Sequence, residues 1–319
     1  MGKKAIVVVG PTASGKTALG VYICKKFNGE VISCDSMQIY KGMDISTAKP
    51  TKEEMCGVKH HLIDFLPCNH TYNVSEYCED ARRAFDDVVS RGKLPVFVGG
   101  TGLYIDSFLS NTKFLDGAFS EDIRLGLQEE LQKNGIDELY KELLSVDPKA
   151  AENIHPNNAK RVLRALEVYR ATGKTLSEQN ELSHSEESDI EPFYIGITYN
   201  NREKLYDRIN KRVDIMMETG LLDEARSLFS GEYSDTAVAS IGCKEMKPFL
   251  DGEKPLCECV DKLKQNTRHY AKRQLTWFRR NDKINWVYPD MCNEKELYEN
   301  IDSLILEFLE GEAIEKDKL

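Results

Sequence analysis

Short apolar runs at Ala5–Val9, Val31–Ser33, Leu94–Val98 and Phe193–Thr198 alternate along the chain with helix-length segments whose apolar positions share a face. That alternation predicts an α/β fold, a parallel sheet covered by helices. From Asn111 to about Glu191 the strand pattern stops. Helical periodicity replaces it in Asp122–Lys133, Ile136–Ser145, Asn158–Thr172 and Thr175–Asn180. The expected organisation is therefore a core built from residues 1–110, an inserted all-helical domain over 111–191, and a return to the core over 192–319. The return starts on Tyr194-Ile-Gly-Ile-Thr198 and continues through helices predicted over Arg202–Glu218, Leu221–Phe229, Ile241–Phe249 and Leu256–Asn281. A final segment, Asn293–Glu310, is apolar on one side and acidic on the other, and reads as a docking helix with a frayed tail.

The first predicted strand runs directly into Gly10-Pro-Thr-Ala-Ser-Gly-Lys-Thr17, and the segment Thr17–Phe27 after it reads as a helix. A strand, a glycine-rich loop and a helix N-terminus form a cradle for phosphate. Gly10 and Gly15 let the backbone curl so that its N–H groups point inward, Lys16 adds a positive charge, and Thr17 offers a hydroxyl to Mg²⁺. The core is thus expected to be P-loop NTPase-like. The loop alone does not say which phosphate compound it holds.

Asp35 follows Val31-Ile-Ser-Cys34, so it belongs at the carboxyl end of the second strand, on the edge that carries the phosphate loop. A carboxylate beside an anion repels it, which leaves Mg²⁺ contact or proton abstraction as functional roles. Capping a helix after Ser36 is the structural alternative. Ser36 and Gln38 are placed to read the edge of a base. Gly99-Gly-Thr-Gly102 is a second strand ending in glycines, able to approach a ligand closely, with Thr101 between them. Lys264, Arg268, Lys272 and Arg279 fall near one face of the segment Leu256–Asn281, with Gln265, Arg273, Gln274 and Thr276 beside them, and acids are absent from Asp261 to Asp282. Such a stripe suits a polyanion. In the insertion, Lys160, Arg161 and Arg164 flank the apolar stripe of Val162, Leu163, Leu166 and Tyr169. His60-His61 is not a shared metal site, because neighbours on a strand point to opposite faces.

Composition changes this picture in a few places. At 319 residues the chain exceeds what one core comfortably fills, in keeping with a second lobe. The net charge of −10 speaks against a nucleic-acid partner. Its distribution reverses that argument, since acids concentrate in Ser185–Glu191 and from Glu294 to Asp317, whereas Lys160–Arg170 and Lys262–Arg280 are basic. Nine cysteines with no zinc-type spacing fit reduced thiols. No apolar stretch has membrane-spanning length and no leader pattern precedes the first strand, so a cytoplasmic protein is expected, with the sequons at Asn69 and Asn73 unused. No obligate protein partner is evident, and a monomer is expected.

Together, Gly10–Thr17, the block Asp35-Ser-Met-Gln-Ile-Tyr-Lys-Gly-Met-Asp-Ile-Ser-Thr-Ala-Lys-Pro50, His60-His-Leu-Ile-Asp64, Gly99-Gly-Thr-Gly-Leu-Tyr104, Asn157–Arg164 and Arg268-His-Tyr-Ala-Lys-Arg-Gln-Leu-Thr-Trp-Phe-Arg279 closely resemble the bacterial-type tRNA dimethylallyltransferases, the tRNA isopentenyltransferases. The resemblance runs from Lys4 to about Val287, and its second and last blocks are far more specific than the phosphate loop. It implies transfer of a dimethylallyl group from dimethylallyl diphosphate to N6 of adenosine 37, beside the anticodon, in tRNAs that read codons beginning with U. Diphosphate would sit in Gly10, Pro11, Thr12, Ala13, Ser14, Gly15, Lys16 and Thr17, with Mg²⁺ on Thr17 and Asp35 as general base. The resemblance also places Ser36, Met37, Gln38 and Thr101 beside the flipped base. It assigns Arg124, Ala159, Lys160, Arg161, Val162, Leu163 and Arg164 to the tRNA anticodon arm, while Arg268, Lys272 and Arg273 come from the basic helix. The chain departs from the pattern at Ala239, where relatives usually carry Arg or Gln, which leaves Lys244 or Arg273 to supply that contact; the Cys₂His₂ finger of eukaryotic relatives is also missing.

Three rival readings share parts of this pattern. An adenylate isopentenyltransferase has the same donor chemistry but needs neither an insertion nor a basic helix. A P-loop kinase would bind ATP in the loop and set Asp35 on an acceptor hydroxyl. A non-catalytic RNA-binding module has no use for Lys16, Thr17 and Asp35 together.

Overall fold

β-branched residues in runs without polar alternation make strands that are stable only between two layers of helices. In the computed structural model, which describes residues 2–114, 120–183 and 188–311, the strand β1 (Lys3–Val9) is of this kind, with Ala5 to Val9 fully buried. It is followed by α1 (Lys16–Lys26), β2 (Gly29–Cys34), α2 (Lys52–Met55), β3 (His60–His61), α3 (Val74–Ser90), β4 (Leu94–Gly99) and α4 (Gly102–Leu109). Next come α5 (Glu121–Asn134), α6 (Ile136–Val146), α7 (Pro148–Asn153), α8 (Ala159–Thr172) and α9 (Leu176–Ser183). The chain then forms β5 (Ile190–Ile197), α10 (Arg202–Glu218), α11 (Leu221–Ser230), α12 (Asp235–Val238), α13 (Cys243–Leu250), α14 (Leu256–Phe278), β6 (Asn285–Val287) and α15 (Glu294–Glu310). Of the two acidic stretches, residues 185–187 and 312–317 lie outside the described residues.

The contacts divide the chain into two units, residues 1–108 with 189–319, and residues 109–188. In the first, six strands form one sheet in the order β3-β2-β4-β1-β5-β6, and every neighbouring pair is parallel. The α/β class expected from the alternation of strands and helices is the observed one. β3 and β6 were not among the predicted strands, since two or three half-polar residues at a sheet edge give no apolar run. α1 and α15 cover one side: Leu19 and Ile23 of α1 pack with Ile6, Val8 and Ile195 of the sheet and with Leu297, Ile301 and Ile305 of α15. Asp302 on α15 is nearly buried, and it is held there by Lys26 and by the Tyr22 hydroxyl at 2.8 Å.

The second unit is helical throughout its described residues. Its core is Leu127 of α5, Leu139 and Leu143 of α6, Ala150, Ala151 and Ile154 at α7, and Val162, Ala165 and Leu166 of α8. Arg170 forks from α8 to Glu130 of α5 and Glu142 of α6, at 2.7 and 2.6 Å, tying three helices at their polar rim.

Candidate active site at the carboxyl edge of the sheet

The register of the sheet determines which loops meet. Val9 pairs with Gly99, and Gly99 pairs with Cys34, so β1, β4 and β2 end at one level. The residues that follow each strand, Gly10, Gly100-Thr101 and Asp35, therefore leave the same edge side by side. This is where open α/β sheets bind ligands.

The loop after β1 is tightly wound. Gly10 has φ +150°, and a Cβ added there would stand 2.2 Å from the carbonyl oxygen of Ile197, so no other residue fits. Ala13 is left-handed at φ 63°, and Gly15, also left-handed, precedes α1, whose unpaired N–H groups give the loop its attraction for anions. Lys16 donates to the carbonyl of Pro11 at 2.7 Å and spans the loop's interior. Burial lowers its pKa to about 7, with the Arg212 guanidinium adding to the effect and Asp35 opposing it. Thr17 is half-buried in the first turn of α1, and the Ser14 hydroxyl is buried with no hydrogen-bond partner.

Asp35 closes a turn rather than capping a helix. Its Oδ1 accepts from the N–H groups of Met37 at 2.9 Å and Gln38 at 3.3 Å, which fixes the carboxylate and leaves Oδ2 for chemistry. The helix that the sequence allows after Ser36 is absent, since residues 36–39 form bends and a turn and Tyr40 makes a lone bridge to Leu66. Thr101 accepts from the Ser36 N–H at 3.2 Å, joining the β4 and β2 loops. Gln38 spends its amide N–H₂ on the carbonyls of Thr47 and Ala48, both at 3.2 Å, so its donors stiffen the Asp35–Pro50 block. Glu224 of α11 holds the other side of that block by accepting from the backbone N–H groups of Asp44, Ile45 and Ser46 at 2.7 to 2.8 Å. Lys49 ties it inside, donating to the Tyr40 carbonyl at 2.8 Å and Asp64 at 2.7 Å.

Two helices complete the site, and their contributions differ from what the sequence led us to expect. On α10, Arg208 donates to the Ala13 carbonyl at 2.9 Å and Arg212 reaches Thr12 Oγ1 at 3.4 Å and the Ala48 carbonyl at 3.3 Å. Burial pushes the Arg212 pKa down, so this guanidinium is held poorly solvated beside the loop, ready for an anion. The sequence signal was present, an i, i+4 arginine pair on a helix that follows a core strand, and was passed over. On α14, Gln274 is buried and joins two loops: its Oε1 accepts from Thr12 N at 2.8 Å and its Nε2 donates to the Gly100 carbonyl at 3.0 Å. Gly100 has to be glycine for this, as an added Cβ would stand 2.0 Å from that Nε2. Trp277 packs over Gly102 and donates to Asp106 at 2.7 Å.

The basic stripe of α14 needs correction. Acids are absent from the helix itself, yet α10 supplies partners: Lys264 pairs with Asp214 at 2.5 Å, and Arg268 donates to Asn210 at 2.6 Å and lies over Tyr206. Arg268 is thus half-buried between α14 and α10, and the exposed cations of the segment 262–280 are Lys262, Lys272, Arg273, Arg279 and Arg280. In the helical unit, Ala159 and Lys160 open α8, and Lys160 and Arg161 are exposed. Arg124 and Arg164 both pair with the buried Glu167, at 3.5 and 3.0 Å. Val162 is fully buried in the helical core and Leu163 packs against that core, so the Val162 side chain is not a surface contact for RNA. Helical periodicity accounts for this, since every third or fourth residue of a helix packed on one side faces inward.

Glu30, His61 and Asp87 place three potential metal ligands together. Glu30, however, already receives Arg91 at 2.5 and 2.6 Å, Lys93 at 2.7 Å and His61 at 2.8 Å, and the Arg91 guanidinium holds its carboxyl well below the usual range. A carboxylate so compensated is a structural ion pair.

Known proteins share this sequence and fold. The family model described as IPP transferase matches residues 38–281. The tRNA dimethylallyltransferase of Caldanaerobacter subterraneus subsp. tengcongensis is 44% identical over 314 residues, covering 98% of this chain and 99% of the relative. That of Acetivibrio thermocellus is 47% identical over 293 residues, with 91% and 93% covered. Among solved structures, the full-length tRNA isopentenylpyrophosphate transferase from Bacillus halodurans superimposes with a TM-score of 0.71 at 43% identity, covering 98% of this chain and all of the other. A eukaryotic dimethylallyltransferase acting on tRNA gives 0.81 at 30% identity, covering 99% of this chain and 81% of that one. No described helix is long and apolar enough to cross a membrane.

Proposed function

The chain belongs to the IPP transferase family, and from that premise we propose that it transfers a dimethylallyl group from dimethylallyl diphosphate to N6 of adenosine 37, beside the anticodon of tRNAs reading UNN codons. The observation that carries this reading is the assembly at one sheet edge of an anion-binding loop with Lys16 and Arg212, a fixed carboxylate at Asp35, and the Thr101 loop between them.

The amine nitrogen of adenine is a weak nucleophile because its lone pair is delocalised into the ring. It attacks C1 of the dimethylallyl group while the bond from C1 to the diphosphate oxygen breaks. The N6 proton passes to Asp35, whose Oδ1 is anchored by two N–H groups, and the electron pair of the broken bond leaves on diphosphate. Lys16, Arg212, Arg208 and the N-terminus of α1 stabilise that developing charge. Mg²⁺ bound with the diphosphate would supply further neutralisation. The Thr17 hydroxyl would hold it, and the buried, unpartnered Ser14 hydroxyl in the same loop is a further oxygen donor of the kind a hard cation takes. Lys272 and Arg273 on α14 and Lys160 and Arg161 on α8 are the cations we assign to the tRNA backbone; Ser36, Met37, Gln38 and Thr101 are the residues assigned to the flipped base.

The decisive experiment is mass spectrometry of nucleosides after incubating the protein with Mg²⁺, dimethylallyl diphosphate and unmodified tRNA, with AMP as a parallel acceptor. N6-isopentenyladenosine in tRNA is expected. Product from AMP alone would move the protein to the adenylate class, and no product from either would return the reading to a kinase.

Two further outcomes follow from the site. Lys16 has a folded pKa of about 7 against 10.5 for the ordinary side chain. The unfolded chain therefore binds more protons between those values, and the Lys16 contribution to stability is unfavourable below pH 7 and disappears as pH rises toward 10.5. A bound diphosphate favours the charged amine, so binding at pH 8 takes up a proton. Calorimetry in buffers of different ionisation enthalpy measures it, and Lys16→Met should abolish the difference. On α14, the double replacement Lys272→Glu with Arg273→Glu should weaken tRNA binding and lower the slope of log K against log salt by about 2. An unchanged slope in a binding titration would remove these residues from the interface. Arg268→Glu, in contrast, should lower the melting temperature by breaking the bond to Asn210.

A further inference from the structure

Within the helical unit, α7, α8 and α9 line an open cavity of about 500 Å³ that has no part in the bond-making steps of the transfer. Its volume lies within the range of roughly 300–1,000 Å³ typical of small-ligand sites. The lining mixes three chemistries: apolar Ala150, Ile154 and Leu176, the guanidinium groups of Arg161 and Arg164, and the side-chain amide of Asn153. The walls are braced by one buried carboxylate. Asp147 caps α7 through Ala150 N at 3.0 Å and accepts from both the N–H and the hydroxyl of Ser177 on α9, at 3.0 and 2.6 Å. The cavity is therefore preformed. Lys149 at its edge is neutralised by Glu181, and Arg164 shares its charge with Glu167, whereas Arg161 is exposed in the first turn of α8. A positive charge remains next to an apolar floor.

A guanidinium fork matches the oxygens of a phosphate, apolar and guanidinium planes stack on a heterocyclic ring, and an amide pairs with the ring's edge. Inorganic phosphate would use only the first of these and a hydrocarbon only the floor. We propose that this cavity binds a single nucleotide unit, its ring against Ala150, Ile154 and Leu176 and its phosphate on Arg161 and Arg164. The same chemistry has two sources, a nucleotide turned out of the bound RNA or a free nucleotide. The first source rests on the reading of tRNA as acceptor, and the second does not.

The test uses the full chain with inorganic diphosphate saturating the phosphate loop. Photolabelling with 8-azido-AMP, followed by peptide mapping, is expected to mark residues within 149–164 or 176–181. Arg161→Glu, an exposed change, should lower that labelling about tenfold, the worth of one charge-assisted contact. Ala150→Met should block the cavity without altering charge, with thermal unfolding recorded to show that the unit still folds. Unmodified tRNA that suppresses the labelling identifies the RNA as the source. Labelling that tRNA leaves intact identifies a free nucleotide. Absence of label from both segments, or labelling unchanged in both variants, overturns the proposal. Prenylation of tRNA is measured on the same preparation of protein without added diphosphate, so an active enzyme with an unlabelled cavity rejects the cavity alone, and a labelled but inactive one rejects the transfer reading alone.

Discussion

Asp35→Asn removes most of the turnover, by about 100-fold or more, the usual worth of a positioned general base, while tRNA binds as before. The substitution is informative because it preserves the local structure. Asparagine keeps an Oδ1 that accepts from the N–H groups of Met37 and Gln38, so the turn that carries Ser36 and Gln38 stays closed. Only the charge and the ability to take a proton are lost. The measurement is a pair: single-turnover formation of the modified nucleoside, and tRNA affinity by fluorescence anisotropy. A slow rate with native affinity assigns Asp35 to the proton. Near-normal turnover would dismiss it as a base and leave it the turn-closing role alone. A joint loss of rate and affinity would mean that the carboxylate organises the loop rather than the reaction.

The legibility of this site in the sequence follows a physical division. Local backbone signals were readable: the loop Gly10–Thr17 is dictated by glycines and by its place between strand and helix, and Asp35 and Thr101 could be put on one edge because each follows an apolar run. Contacts made over long separations were not. Gln274 lies 262 residues from Thr12, and nothing in its neighbourhood distinguishes it from a solvent-facing glutamine on a basic helix. The same gap explains the stripe on α14. The sequence shows that acids are missing from that helix, but only the packing of α10 against it shows that Asp214 and Asn210 neutralise or occupy Lys264 and Arg268. Edge strands such as β3 were too short to leave a pattern.

Gln274 carries the second large effect. It is the one side chain that hydrogen-bonds both the phosphate loop and the Gly99–Thr101 loop among the described residues, and both of its partners are backbone groups. Gln274→Leu keeps the volume and removes both bonds, leaving the Thr12 N–H and the Gly100 carbonyl orphaned at about 1–3 kcal/mol each. At roughly 2–4 °C per kcal/mol for a chain of this size, the unfolding midpoint falls by about 4–24 °C. Gln274→Glu separates stability from function. It retains an acceptor for Thr12 N but turns a carboxylate oxygen toward the Gly100 carbonyl and buries a negative charge beside the site of the departing diphosphate. Its affinity for dimethylallyl diphosphate should fall more than that of the leucine variant, and the deficit should shrink as the pH drops and the new carboxyl takes up a proton. Calorimetric titration of the donor across pH for both variants reads this directly. Equal losses in the two, with no pH dependence, would show that Gln274 only holds the loops together and that the charge at that position does not reach the diphosphate.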